Sequence, residues 1–324
     1  MLTNLYLKDY PAALRRIVAQ SPAELIEQEI NLPTITKYLD SRRDNARFTE
    51  KEAIALERKH LTELQCQVIA SVSQYGYWQG TIDDIFDPQQ ANNLMSICDS
   101  YKHLLQKNLS QYHYNQHNTV TLSGNQISQN SYNWIVYQAG LNEKLLRIAH
   151  QYIGLPVGYH GAEIRLSRAN PHRLDITGPR TPHQDCEEGQ IFPMLKAVLY
   201  LSDVTEDRGP FTMVQNAQHK PLTGCKGTLI LADPSLNLHY GMPLKQGERM
   251  ILFWTYSSHR PRYPHRCIIW PHSHIAVRKM TKNMNREQQQ AARWREYLPF
   301  LLCPVRYYPF PGHNWLLGDR NFIV

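Results

Sequence analysis

Between residues 157 and 270 the chain is a succession of short β-prone runs, each closed by a turn signal. The runs fall at about 158–168, 173–178, 192–202, 211–215, 226–232, 247–257 and 264–270. Gly209-Pro210 and Gly241-Met242-Pro243 are two of the turns between them. Parallel strands need long crossovers, whereas antiparallel ones are joined by turns. Runs this short and this close together therefore predict an antiparallel double sheet rather than a parallel α/β fold.

Helical patterns flank the strands. Apolar positions recur with helical spacing over 10–20, 21–30 and 49–74, where Thr49 and Glu52 form a capping-box pattern. Residues 88–106 and 141–153 are helical again, the second run ending at Gly154. YGYWQGTIDDIF, from Tyr75, reads as a strand leaving a turn. Residues 110–129, rich in Asn, Gln, Ser, His and Tyr, read as a long loop or hairpin able to act as a flap over a site. A last helix is expected over 284–298, stopped by Pro299. Three parts result: a helical N-terminal extension (1–75), a β core with flanking helices (76–283), and a C-terminal helix with a basic aromatic tail (284–324).

At 324 residues the chain can bury a core without a metal or disulfide staple. No apolar run has the roughly 20 residues of a membrane span, and the N-terminus lacks a secretory pattern. Cys66, Cys98, Cys186, Cys225, Cys267 and Cys303 form no CxxC pair. They read as free thiols of a cytoplasmic protein. The net charge is +7, and residues 259–324, with eleven Lys/Arg against three acids, carry all of the excess. Such a surface favours phosphates, anionic lipid or nucleic acid.

The segment TPHQDCEEGQ holds His183 and Asp185 in an H-x-D arrangement. In an extended chain, residues i and i+2 point the same way, so an imidazole and a carboxylate can grip one ion. His239, in DPSLNLHYGMP, is the preferred third ligand, with His219 the competing histidine. Two His and one carboxylate on one face of a metal leave three positions open, which suits non-haem Fe(II). An isolated His-x-Asp also serves as a plain hydrogen-bonded loop pair. The order of the features around it tells the two apart.

That order resembles the phytanoyl-CoA dioxygenase-like branch of the Fe(II)/2-oxoglutarate oxygenases. The likeness rests on the H-x-D pair, the strand and turn MLKAVLYLSDVTEDRGPFTMVQNAQH, the distal His239, and Arg249 ten residues later in GMPLKQGERMILFWTY. LNEKLLRIAHQYIGLPV resembles the helix and Gly turn leading into that core, and the likeness spans roughly residues 75–257. It implies a double-stranded β-helix (jelly-roll) fold. It also implies Fe(II) held by His183, Asp185 and His239, and Arg249 on the distal carboxylate of 2-oxoglutarate. The reaction implied consumes O2 and 2-oxoglutarate, releases succinate and CO2, and hydroxylates an aliphatic C–H. Related halogenating enzymes have Ala or Gly where Asp185 stands, so hydroxylation is the expected outcome. Lys196 and Tyr200 share a strand face with Val198 and are candidate co-substrate contacts. Each reads equally as a strand-edge lysine and a core tyrosine. Arg165, on the preceding strand, is a candidate substrate contact.

Substrates in that branch include acyl-CoA thioesters, amino acids, natural-product intermediates and lipopolysaccharide sugars. The basic tail favours an anionic or lipid-linked substrate, with the Kdo sugar of lipopolysaccharide as one candidate. MNREQQQAARWREYLPFLL sets Arg286, Arg293 and Arg295 beside Trp294, Tyr297 and Phe300. A basic aromatic helix can lie on the inner face of a membrane, although packing on the core with a solvated charged side is the commoner use. No nucleic-acid motif accompanies it. The rival readings are a non-catalytic jelly-roll module that binds a metal or sugar, and a basic adaptor in which the H-x-D pair is vestigial.

Overall fold

A computed structural model of the chain describes residues 61–111, 119–122, 134–169, 180–185, 193–259 and 274–294. The helices are α1 (Glu63–Tyr75), α2 (Ile82–Ile85), α3 (Pro88–Gln111), α4 (Trp134–Ala139), α5 (Glu143–Ile153), α6 (His274–Met280) and α7 (Arg286–Ala292). The strands are β1 (Tyr77–Thr81), β2 (Thr119–Leu122), β3 (Val157–Arg168), β4 (Leu195–Tyr200), β5 (Phe211–Gln215), β6 (Gln218–Leu222), β7 (Thr228–Ala232), β8 (Leu238–Gly241) and β9 (Glu248–Ser258).

Every strand pair is antiparallel. A major sheet runs β1-β7-β4-β9-β3-β2, and a minor sheet runs β6-β5-β8. This is the expected double-stranded β-helix with flanking helices. The two-residue period of β4 divides its side chains between two cores. Leu195, Ala197 and Leu199 face the helices and join the larger core with Leu229, Leu231, Leu252 and Trp254. Val198 and Tyr200 face the minor sheet and pack with Phe211, Met213, Leu222, Ile230 and Ile251. Lys196 lies on this inner face, so the strand delivers a cation to the space between the sheets.

The helical layer is fixed to the major sheet through polar tips on large aromatic residues. Tyr159 Oη donates to the Tyr137 carbonyl at 3.0 Å, Trp254 Nε1 to that of Val136 at 3.0 Å, and Tyr256 Oη to that of Gly140 at 2.7 Å. All three side chains are fully buried, so each hydrogen bond offsets the cost of desolvating its own polar atom. Asn142 caps α5 by accepting from the Lys144 and Leu145 N–H groups, and Gly154, at φ +72°, ends it in the left-handed region. The apolar face of α5 (Leu145, Leu146, Ala149) is buried in the larger core.

The strands expected at 158–168, 192–202, 211–215, 226–232 and 247–257 are present, with ends that differ by at most three residues. β6 and β8 are additional. β6 (QHKPL) is mostly exposed and carries Pro221, and β8 has four residues, so neither shows an apolar strand pattern. The 75–86 stretch forms β1 and then a turn of helix, α2, instead of a single strand. α1 begins after Thr62, whose side chain makes the capping box with Gln65. This helix packs on β1, β7 and α5. Part of the 110–129 loop is strand: β2 pairs with β3 from Thr119↔Ser167 to Leu122↔Ile164. α4 and α6 are further additions, and α7 matches the first half of the helix expected over 284–298. The helices expected over 10–30, the Thr49 capping box, the strands at 173–178 and 264–270, and the tail beyond 294 lie outside the described residues. Among the described residues Cys66, Cys98 and Cys225 are free thiols, and no helix is long and apolar enough to cross a membrane.

Candidate metal centre

His183 and His239 form an isolated antiparallel bridge, which adds the H-x-D segment to the free edge of the minor sheet beside β8. Asp185, two residues on, donates its N–H to the Pro234 carbonyl at 2.9 Å. Two backbone anchors thus place both H-x-D side chains against His239. Asp185 Oδ1 lies 3.5 Å from His183 Nε2 and 3.3 Å from His239 Nε2. One ligand atom from each of the three residues falls within 4.8 Å of the others.

The second nitrogen of each ring is also accounted for. His183 Nδ1 lies 2.7 Å from the Thr181 carbonyl, and His239 Nδ1 lies 3.3 Å from that of Asn237. A carbonyl only accepts, so each Nδ1 carries a proton, which leaves Nε2 as the nitrogen of each ring that faces Asp185. Backbone carbonyls set the tautomer of metal-binding histidines in this way. Phe211 packs on the His239 ring at 5.3 Å between centroids and shields it from solvent.

The charges follow the geometry. Burial pushes the Asp185 carboxyl up, but Lys196 and the two imidazoles overcome this and hold it well below the usual carboxylate range. The hydrogen bond to Asp185 raises the His183 imidazole, against the opposing effect of burial. Lys196 balances the charge of Asp185, and the two imidazole nitrogens complete a set of three donors around Asp185 Oδ1. The donor set, the spacing and the fixed tautomers fit a small divalent cation.

A cavity of about 420 Å³ opens from this cluster between the sheets. Arg249, Lys196, Arg165 and Tyr200 all line it together with His183, Asp185 and His239, so these seven candidates share one cavity. Arg249 Nε is buried with no hydrogen-bond partner among the described residues. Burial pulls this guanidinium down to about 10, and the nearby Arg165 and Arg180 add to the effect. A buried donor without an acceptor costs free energy unless a ligand supplies one. Tyr200 lines the cavity and is at the same time a core tyrosine, one of the two readings its sequence position allowed. Its hydroxyl donates to the Leu222 carbonyl at 2.6 Å and accepts from the Phe211 N–H at 3.1 Å, so it ties β4 to the minor sheet. Lys196 Nζ is ion-paired with Asp185 Oδ2. Arg165 pairs with the buried Glu163 and stacks over Phe253 at 5.1 Å. His219 lies away from the cluster on exposed β6, hydrogen-bonded to Tyr240 Oη.

Two features escaped the sequence reading. Arg180 also lines the cavity, three residues before His183. The second feature is Asp233, which organises the turn between β7 and β8. Its Oδ1 accepts from Ser235 N, Ser235 Oγ and Leu236 N, and its Oδ2 from Tyr152 Oη at 2.7 Å. This turn supplies the Pro234 carbonyl to Asp185 and leads directly into His239. An Asp-Pro pair closing a strand was the available signal.

No protein-family model matches the chain, and no curated protein matches it in sequence. Among solved structures, it is similar to the non-heme alpha ketoglutarate dependent epimerase SnoN from nogalamycin biosynthesis. That pair shares 15% identity over 61% of this chain and 86% of the other, with a TM-score of 0.44. AviO1 from Streptomyces viridochromogenes gives 13% identity, 61% and 97% coverage, and a TM-score of 0.44. EctD from S. alaskensis, solved with bound Fe, gives 16% identity, 61% and 77% coverage, and a TM-score of 0.44.

Proposed function

We propose that this protein is an Fe(II)/2-oxoglutarate-dependent oxygenase that hydroxylates an aliphatic C–H bond. The observation that carries this reading is the pairing of a His-Asp-His cluster with the buried Arg249, whose Nε has no hydrogen-bond partner among the described residues, in a single cavity. The cluster would hold Fe(II) through His183 Nε2, His239 Nε2 and Asp185 Oδ1. The iron and 2-oxoglutarate, when bound, supply the oxidising chemistry. The chain's own residues bind, orient and exclude water. Arg249 offers a planar pair of donors for the distal carboxylate of 2-oxoglutarate, a charge-assisted match worth several times a neutral hydrogen bond. Val198, Ile251 and Phe253 line the rest of the cavity with apolar surface and limit access of water to the metal face.

The substrate side of this reading is anionic. Arg165, which shares its charge with Glu163, and Arg180 also line the cavity and add to its positive potential. A carboxylate or phosphate on the substrate, free or lipid-linked as in the Kdo sugar of lipopolysaccharide, is the matching chemistry. A membrane-linked substrate would bring the protein to the inner face of the membrane through its basic C-terminal region. The likeness in the order of motifs favours the phytanoyl-CoA dioxygenase-like branch.

The test is anaerobic. Fe(II) and 2-oxoglutarate added to the purified protein should give a visible metal-to-ligand charge-transfer band, and Arg249→Ala should abolish it at the same co-substrate concentration. A folded protein that gives no band is not an oxygenase of this kind and becomes a metal- or sugar-binding module.

A further inference from the structure

Among the described residues that line the cavity, Lys196 is the basic residue whose ammonium is paired with a candidate metal ligand. Its ammonium is ion-paired with Asp185 Oδ2, while Asp185 Oδ1 faces both imidazoles. The two oxygens of one carboxylate are therefore divided between two tasks. The partners also differ in how firmly they are held. Asp185 lies outside the strands, anchored by the His183–His239 bridge and by its own N–H on the Pro234 carbonyl. Lys196 sits in the centre of the major sheet, hydrogen-bonded into the ladder on both sides, opposite Ala232 on β7 and Thr255 on β9. Its side chain is only 16% exposed, and its Nζ lies 5.8 Å from the Phe253 ring centroid. A cation on a rigid strand thus holds a carboxylate on a loop.

We propose that Lys196 is a positioning residue that keeps Asp185 monodentate toward the metal. The inference rests on the oxygenase reading above. A six-coordinate ion bound by three side chains has three positions left, two for a chelating co-substrate and one for dioxygen. A carboxylate that chelated through both oxygens would occupy one of those three. With Oδ2 held by Lys196, only Oδ1 is free to bind, and the three positions stay open. The same cation opposes the metal's own charge, so the site binds its ion less tightly than the donors alone would allow.

Lys196→Met removes the charge and keeps the length of the side chain, and Lys196→Arg keeps the charge. Each is compared with the wild type using Mn(II) alone. Free Mn(II) is counted by electron paramagnetic resonance, and metal-bound water by water-proton relaxation. The expected result is three bound waters in the wild type and in Lys196→Arg, two in Lys196→Met, and Mn(II) affinity about tenfold tighter in Lys196→Met. The affinity of the Mn(II) form for 2-oxoglutarate should fall in Lys196→Met and be restored in Lys196→Arg. An unchanged water count in folded Lys196→Met overturns the inference, and a loss of 2-oxoglutarate affinity alone would make Lys196 a co-substrate contact instead. Weaker Mn(II) binding in Lys196→Met, with Lys196→Arg unable to restore it, also overturns it. If the wild type binds no Mn(II), Co(II) or Fe(II), the oxygenase reading itself fails, an outcome separate from any of these.

Discussion

His183 and His239 donate backbone N–H groups to each other's carbonyls, at 3.0 and 2.9 Å, and their rings stand 4.5 Å apart. The two histidines are therefore brought together by a β-bridge before any metal arrives. A preformed pair predicts that each side chain can be removed with little effect on the fold, since the bridge is made by the backbone. His239→Ala should keep the thermal midpoint within a few degrees of wild type while Fe(II) or Co(II) affinity falls by at least about 100-fold. Calorimetric metal titration with circular dichroism on the same sample separates the two effects. A large loss of stability with metal affinity intact would be the wrong result.

Arg249 gives a prediction of the opposite kind. Its buried Nε lacks a partner among the described residues, so the co-substrate carboxylate should be the acceptor that satisfies it. Arg249→Ala should leave metal affinity within about twofold and weaken 2-oxoglutarate by about 100-fold, equivalent to roughly 3 kcal/mol for a charge-assisted pair. Arg249→Lys keeps the charge but loses the planar fork, and should recover only part of the affinity. A titration of the charge-transfer band measures all three proteins.

Asp233 connects a second set of contacts to the site. Burial pushes its carboxyl up, and four hydrogen-bond donors from Ser235, Leu236 and Tyr152 oppose this. Asp233→Leu should strand those donors and release the turn that holds Asp185 and His239. A cost of roughly 3 kcal/mol in urea unfolding and a loss of metal affinity are expected together. Tyr152→Phe removes one donor of the four and should cost about 1 kcal/mol with the metal retained.

The faces of the strands and the H-x-D pair were legible because they rest on local rules. Alternation over two residues put Lys196, Val198 and Tyr200 on one face, and i, i+2 geometry put His183 and Asp185 on another. What Lys196 and Tyr200 touch was not legible. Tyr200 is held by backbone groups of Leu222 and Phe211, and Lys196 by a carboxylate eleven residues earlier. Neither partner is set by strand periodicity. Arg180 and the Asp233 knot depend on how loops fold back on the sheets, and a lone Arg or an Asp-Pro pair has no periodic signature. β6 and β8 were hidden for a related reason. They are short, half-polar strands of the minor sheet, stabilised by pairing with β5 and not by a buried apolar pattern of their own.

The last prediction concerns acid. His150 on α5 and Glu287 on α7 are paired at 2.7 Å, joining the two helices outside the major sheet. The hydrogen bond from His150 lowers the Glu287 carboxyl below its ordinary 4.5, more than partial burial raises it. A carboxyl depressed in the folded state binds fewer protons there than in the unfolded chain. Its contribution to stability is therefore complete above the unfolded value near 4.5 and is lost as pH falls through the lower folded value. Glu287→Gln should lower the urea midpoint at pH 7 and have little effect near pH 3, so the wild-type and variant curves should converge on acidification. Because this pair lies on the helical layer, the charge-transfer band at pH 7 should be the same in both proteins. A variant whose stability deficit persists unchanged to pH 3 would mean that Glu287 acts through packing alone.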